Sequence, residues 1–182
     1  GFERLNGLPP AIYVSNHTSA MDIFSGMWIC PIGGCAVAKK EIVRVPFFGQ
    51  AFWLSGHLLI DRGNRESAIA GLKRTADLVQ REGLSIWMWP EGTRSRDGRL
   101  GRFKKGFAHM ALATKLPIRP ILVHDAHLLW PARSFQMSKG SFRIELLGDI
   151  DTSDWSLDSL DAHIESVRQV FAEGLGSGQR PD

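Results

Sequence analysis

Cysteine is scarce in this chain of 182 residues, which holds only Cys30 and Cys35, spaced C-P-I-G-G-C. A disulfide framework needs more of them and a zinc site needs more ligands nearby, so both are read as reduced thiols packed as small hydrophobes. Long apolar runs are missing too. The longest stretch free of both charged residues and histidine, Ile23 to Ala38, is broken by Pro31, Gly33 and Gly34 and falls short of the ~20 residues of a membrane span. No signal peptide is present, and the chain opens on Gly1 rather than a methionine, so an N-terminal membrane segment ahead of it is left as an expectation. There is no G-x-S-x-G, which excludes a nucleophile-elbow serine hydrolase, and no P-loop; the close-set Gly174, Gly176 and Gly178 lie near the chain end rather than after a strand. His124-Asp125-Ala126-His127 is an H-x-x-H without a clear third ligand, so no metal is expected. Internal repeats and linkers are absent. One domain over 1–174 is expected, with 175–182 as a disordered tail.

What is present is ordinary in bulk and uneven in detail. Hydrophobic residues at 43% and charged residues at 23% place the chain among globular proteins. The net charge is only +3, yet six basic residues (Arg94, Arg96, Arg99, Arg102, Lys104, Lys105) crowd into twelve positions with one acid, Asp97. Such a strip favours a phosphate, a nucleotide or an acidic membrane surface. Nucleic-acid binding has no other support in the sequence and is not expected.

Apolar runs bounded by turn residues predict strands at Ala11–Ser15, Cys35–Ala38, Leu58–Asp61, Leu84–Trp89, Ile118–Val123 and Phe142–Leu147. Helices are predicted over Asp22–Ile29, Pro46–Leu54, Phe107–Thr114 and Arg65–Gln80, the last with Asn64 as N-cap and Gly83 as stop. Leu157, Leu160, Ile164, Val167 and Phe171 form the stripe of a final helix. Strands alternating with helices imply an α/β fold, a mostly parallel twisted sheet flanked by helices, whose ligands bind beyond the carboxyl ends of the strands.

Three polar clusters follow strands. In Asn16-His17-Thr18-Ser19-Ala20-Met21-Asp22, an imidazole with a pKa near ~6.5 suits a general base, and an aspartate can fix its tautomer. Residues five apart on a regular helix lie roughly 140° apart. A His17–Asp22 hydrogen bond therefore requires a bend between them, with the helix beginning nearer Asp22. Taken alone, the pair reads more readily as a loop histidine and a helix cap. Gly56-His57-Leu58-Leu59-Ile60-Asp61-Arg62 ends a strand on a charged couple in which Arg62 can clamp a phosphate or merely pair with Asp61. Trp89-Pro90-Glu91-Gly92-Thr93-Arg94-Ser95 combines a glycine that brings backbone N–H groups close to an anion with three further donors and an acceptor.

Together the clusters resemble those of the lysophospholipid acyltransferases, specifically bacterial 1-acyl-sn-glycerol-3-phosphate acyltransferases. The first family motif, N-H-x-S-x-x-D, is matched without departure by Asn16 to Asp22. The second, G-x-I-F-I-D-R, is matched by Gly56 to Arg62 with Leu58 and Leu59 as conservative replacements. The third, F-P-E-G-T-R-S, is matched by Trp89 to Ser95 with Trp in place of Phe. A fourth, apolar and proline-bearing, corresponds to Leu116 to Ile121, where Arg119 departs from the apolar residue usual there. The stretch from Ala38 through Gly49 also looks typical of the family.

The resemblance implies an acyltransferase in which His17 takes the proton of a lysolipid hydroxyl and Asp22 orients it. Direct attack on acyl-CoA or acyl-carrier protein follows, without an acyl-enzyme or a cofactor. Arg62, Glu91, Gly92 and Arg94, with Thr93 and Ser95, are implied to bind the acceptor's phosphate and glycerol. Backbone N–H groups near Gly92 are expected to steady the oxyanion. The implied partners are a lysophospholipid acceptor, a thioester donor and the cytoplasmic face of the cell membrane, held peripherally or monotopically. Phe47, Phe48, Phe52 and Trp53 read as core, as the lining of an acyl channel or as residues dipping into lipid. Two other functions fit the same residues: an acyl-thioester hydrolase in which water replaces the hydroxyl at His17, and a lipid-binding module without turnover.

Overall fold

The computed structural model describes residues 5–60 and 65–181, with the backbone alone for 65–69. Among the described residues, the predicted apolar runs become six strands of one sheet: β1 (Ile12–Ser15), β2 (Gly34–Lys39), β3 (Leu58–Ile60), β4 (Ser85–Met88), β5 (Ile118–His124) and β6 (Arg143–Leu146). Their order is β3-β2-β4-β1-β5-β6. Every neighbouring pair is parallel except β5 with β6. The α/β class with a mostly parallel sheet is the one expected from the sequence.

Alternation along the strands divides the core in two. Ile12, Val14, Ile86, Met88, Ile118 and Leu122 face the larger half, covered by α3 (Arg65–Glu82), α4 (Gly106–Thr114) and α6 (Leu160–Gly174). The last helix forms because Leu160, Ile164, Val167 and Phe171 recur at helical spacing, each contributing roughly 1.5–3 kcal/mol on burial. Leu157 does not belong to that stripe: the helix starts three residues later and the side chain is exposed. The opposite face carries the smaller half, where Tyr13, Trp87 and Ile121 meet Ile29 of α1 (Met21–Ile29). At Gly26 the backbone of α1 lies over the rings of Trp87 and Trp89, at a distance where a Cβ would make ordinary contact with both.

Three short elements depart from the sequence reading. A 3-10 turn spans Lys40–Arg44 and a one-turn helix, α5, spans Ala126–Leu129; neither is long enough to show a period. The helix expected from Pro46 starts at Phe48 instead (α2, Phe48–Leu54). Pro46 and Phe47 are held in a γ-turn ahead of it, the Phe48 N–H donating to the Pro46 carbonyl at 2.7 Å with Phe47 at φ 61° and ψ −54°. Asp61, Arg62 and the expected cap Asn64 lie outside the described residues.

Arg119, the departure in the fourth motif, is buried and fully partnered. Its guanidinium forks onto both oxygens of Asp149 at 2.7 Å and donates to the Tyr13 hydroxyl at 2.8 Å. A bidentate carboxylate thus replaces the apolar contact that position would otherwise make. Residues 175–181 are also not frayed, where a disordered tail is expected over 175–182. Leu175 and Gln179 are buried, and the Gln179 side chain accepts the Asp125 N–H at 2.8 Å while its carbonyl accepts that of Leu100 at 2.8 Å. The polar, glycine-bearing composition of this stretch concealed one glutamine that satisfies two loops.

Candidate active site

β1 lies between β4 and β5, so the loops leaving the carboxyl ends of parallel β1 and β4 emerge side by side. Asn16 fixes the first of them. Its side-chain amide donates to the Val123 carbonyl at 2.9 Å and its oxygen accepts the Val123 N–H at 2.8 Å, as a further backbone unit of β5 would. The chain then bends over residues 18–20 before α1, which is the bend the five-residue spacing demanded. His17 Nδ1 and Asp22 Oδ2 meet at 2.9 Å.

Asp22 is buried and already organised. The same Oδ2 accepts the N–H groups of Thr18 at 2.6 Å and Ser19 at 2.8 Å, which fixes the turn ahead of α1. A carboxylate oxygen only accepts, so Nδ1 carries the hydrogen and donates it in this bond, which leaves Nε2 as the ring's acceptor. The imidazole keeps 13% of its surface exposed and stacks on Trp89, with ring centroids 5.0 Å apart. The tryptophan that stands for phenylalanine in the third motif thus forms one wall of the site.

Glu91 sits differently from what the motif suggested. Both carboxyl oxygens accept backbone N–H groups, Oε1 from His17 at 2.7 Å and Oε2 from Gly101 at 3.1 Å. The Ser95 N–H returns to the His17 carbonyl at 2.8 Å, so the loop after β4 grips both backbone faces of His17. Burial raises the Glu91 carboxyl to about 7, against its ordinary 4.5, and the two backbone donors offset part of that rise. Gly101 has no side chain for a steric reason: a Cβ would come within 2.9 Å of Glu91 Oε2.

The rest of the third motif divides between two cavities. Thr93 and Ser95 line a polar cavity of about 390 Å³ with Glu91, Arg99, Arg102 and Arg168. The Ser95 hydroxyl itself donates to Asp97 at 2.8 Å and so serves the loop. Gly92, at φ 72°, lines a separate apolar cavity of about 200 Å³ with Val37, Ile60, Met88, Trp89 and Phe107. Its N–H closes a turn onto the Trp89 carbonyl at 3.0 Å, whereas the N–H groups of Thr93 and Arg94 have no partner among the described residues. Arg94 is exposed and lines neither cavity. Of the basic strip, Arg99 and Arg102 reach the polar cavity, Lys104 lines the apolar one, and Lys105 pairs with Asp161 at 2.6 Å. Arg168 escaped the sequence reading because it stands on α6 beside the core stripe, far from every motif. Its Nε donates to the Gly101 carbonyl at 3.1 Å. The two cysteines are free, and burial pushes both thiols up to about 11, away from nucleophilic use.

The mostly parallel sheet and the helices that flank it have a solved counterpart in fold. The crystal structure of the 1-acyl-sn-glycerophosphate (LPA) acyltransferase from Thermotoga maritima shares the fold with a TM-score of 0.75, over 95% of this chain and 69% of that one, at 24% identity. Residues 1–124 match the family model described as Acyltransferase. Proteins named 1-acyl-sn-glycerol-3-phosphate acyltransferase are similar over most of the chain. That of Limnanthes douglasii is 42% identical over 94% of this chain and 61% of its own length. That of Escherichia coli is 37% identical over 90% and 67%, and that of Saccharomyces cerevisiae 34% identical over 91% and 55%. The chain belongs to the Acyltransferase family, as its motifs indicated. It spans about three fifths of the Limnanthes relative's length. No helix among the described residues is long and apolar enough to cross a membrane.

Proposed function

We propose that this chain carries the catalytic centre of an enzyme that moves a fatty acyl group from acyl-CoA or acyl-carrier protein to the free hydroxyl of lysophosphatidate or a related lysolipid. The observation that carries this reading is the 2.9 Å contact from Nδ1 to a carboxylate already fixed by two backbone donors, which leaves Nε2 as acceptor. Nε2 takes the hydroxyl proton as the oxygen attacks the thioester carbonyl. The tetrahedral intermediate collapses with cleavage of the C–S bond, and the departing sulfur receives the proton from Nε2, giving an ester and a free thiol. Asp22 orients the ring and supports the transient imidazolium. No acyl-enzyme and no cofactor is needed, because the donor brings the acyl group already activated.

The N–H groups of Thr93 and Arg94 are the donors we assign to the oxyanion, in place of the Gly92 N–H that the turn uses. The polar cavity with Arg99, Arg102 and Arg168 suits a phosphate, and the apolar one beside Gly92 suits an acyl chain. Arg94 and Arg62 keep the phosphate-binding roles their motifs imply. Glu91 and Ser95 act by holding the His17 backbone. The soluble donors place the enzyme on the cytoplasmic face of a membrane, with no nucleic acid among its partners.

Incubating the protein with acyl-CoA and a panel of lysolipids, followed by identification of the lipid product, tests the reading. A diacylated phospholipid formed one for one with free CoA is expected. Free fatty acid in its place would make the protein a thioester hydrolase, and lipid binding without thiol release would make it a binding module.

A further inference from the structure

We propose that the segment from Val45 to Leu54 is a membrane-docking element, with Phe47, Trp53 and Leu54 entering an anionic bilayer and Lys39 and Arg44 meeting its headgroups. The proposal deepens the reading above, since it rests on an acceptor that resides in a membrane.

The local chemistry begins at Phe47. A γ-turn of positive φ is rare and strained for a bulky L residue, and such strain persists only where the surroundings fix it. They do so here. The Val45 N–H donates to the Ile42 carbonyl at 3.0 Å, the Gly49 N–H to Val45 at 2.8 Å and the Ala51 N–H to Phe47 at 3.0 Å. Gly49 is buried so tightly against the 3-10 turn that a Cβ would run into the Ile42 and Val43 carbonyls. The product of this clamping is a phenyl ring 91% exposed, which gains nothing for the folded chain.

Around it the apolar surface continues outward. Phe48 and Phe52 turn inward, the latter tilted against His57 at 4.4 Å, while Trp53 is 60% and Leu54 75% exposed. Exposed Lys39 and Arg44 border the patch with Glu41 as the only acid in that stretch. Aromatic residues beside such cations match a lipid interface, and the cations match an anionic leaflet. A second apolar patch on α1, formed by Phe24, Met27 and Trp28 with Ile32 beyond, has no lysine or arginine of its own between residues 18 and 38.

Position completes the argument. Lys39 ends β2 at the carboxyl edge of the sheet, and β3 resumes at Leu58 opposite Val37, so the excursion between them stays near the edge that holds His17 and Glu91. Val37 and Ile60, on the strands that flank the excursion, also line the apolar cavity. A bilayer meeting this segment therefore lies close to the cavity that suits an acyl chain.

Co-sedimentation of the chain with vesicles of phosphatidylcholine, with and without phosphatidylglycerol, tests the proposal. Phe47→Ser and Trp53→Ser should each lower partitioning roughly tenfold, as expected for withdrawing one buried aromatic side chain. Arg44→Glu should weaken binding only where phosphatidylglycerol is present. Turnover of a short-chain acceptor dissolved below its micellar concentration should be unchanged in Phe47→Ser. Phe47→Gly, which relieves the turn, should lose vesicle binding with a Tm no lower than wild type, separating docking from folding. Phe47 variants that partition like wild type would overturn the proposal. So would a lipid-free wild-type dimer that Phe47→Ser dissociates, which would make a second copy the occupant. Vesicle binding that depends on Phe47 in a protein making no diacyl product would sink the proposed reaction and leave the docking element standing.

Discussion

His17→Ala should lower lysolipid acylation by roughly 10²–10⁴-fold, the range a positioned general base supplies, with Tm and acceptor affinity close to wild type. The loss falls on chemistry alone because the imidazole is replaceable as a structural part. The backbone N–H of residue 17 still donates to Glu91, and Asp22 keeps its bonds from Thr18 and Ser19. No buried donor is orphaned by the truncation. Thiol release followed with acyl-CoA and lysophosphatidate, beside an acceptor-binding titration, separates the two effects. A variant with weakened acceptor binding and unchanged turnover would assign His17 to recognition instead.

Glu91→Gln should remove a pH dependence of stability that the wild type shows. The carboxyl is raised to about 7 in the folded chain from its ordinary 4.5, chiefly by burial. Between those values the folded chain holds a proton that the unfolded chain has released. Stability therefore falls as pH rises through that window, by about 3 kcal/mol in all, and levels off above it. Glutamine, neutral throughout, mimics the protonated acid. Denaturant melts of the variant should match wild type near pH 5 and lose the downward slope toward pH 8. The amide retains one good acceptor where the carboxylate had two, so turnover should fall as the His17 loop loosens. Parallel stability curves for the two proteins would show that Glu91 is not buried as a titrating group.

How far the sequence reaches depends on which atoms do the joining. The strands were legible because runs such as Leu84–Trp89 are largely apolar and bounded, and the bend between His17 and Asp22 followed from helical geometry once the two side chains were taken to be hydrogen-bonded. Glu91 was recognisable as important but not as a brace, because both of its partners are backbone N–H groups, which leave no mark in a sequence. Arg168 was hidden for a related reason: it flanks the core stripe of its own helix, and its partner there is the backbone carbonyl of Gly101. Leu157 misled by fitting a period that the helix had not yet begun. Phe47 read as one aromatic among several until the backbone showed it at positive φ and outside the core. The sheet order, with β4 inserted between β2 and β1, rests on long-range pairing that no local pattern encodes.

The reaction proposed here stands on His17 and Asp22 working as one unit, and a double-mutant cycle reads that coupling directly. Specificity constants for acceptor acylation would be compared for His17→Ala, Asp22→Asn and the two combined. Once the base is gone its orienting partner has nothing left to orient, so the combined variant should be no slower than His17→Ala. Losses that multiply would mean that the two side chains act independently, and would contradict the general-base mechanism.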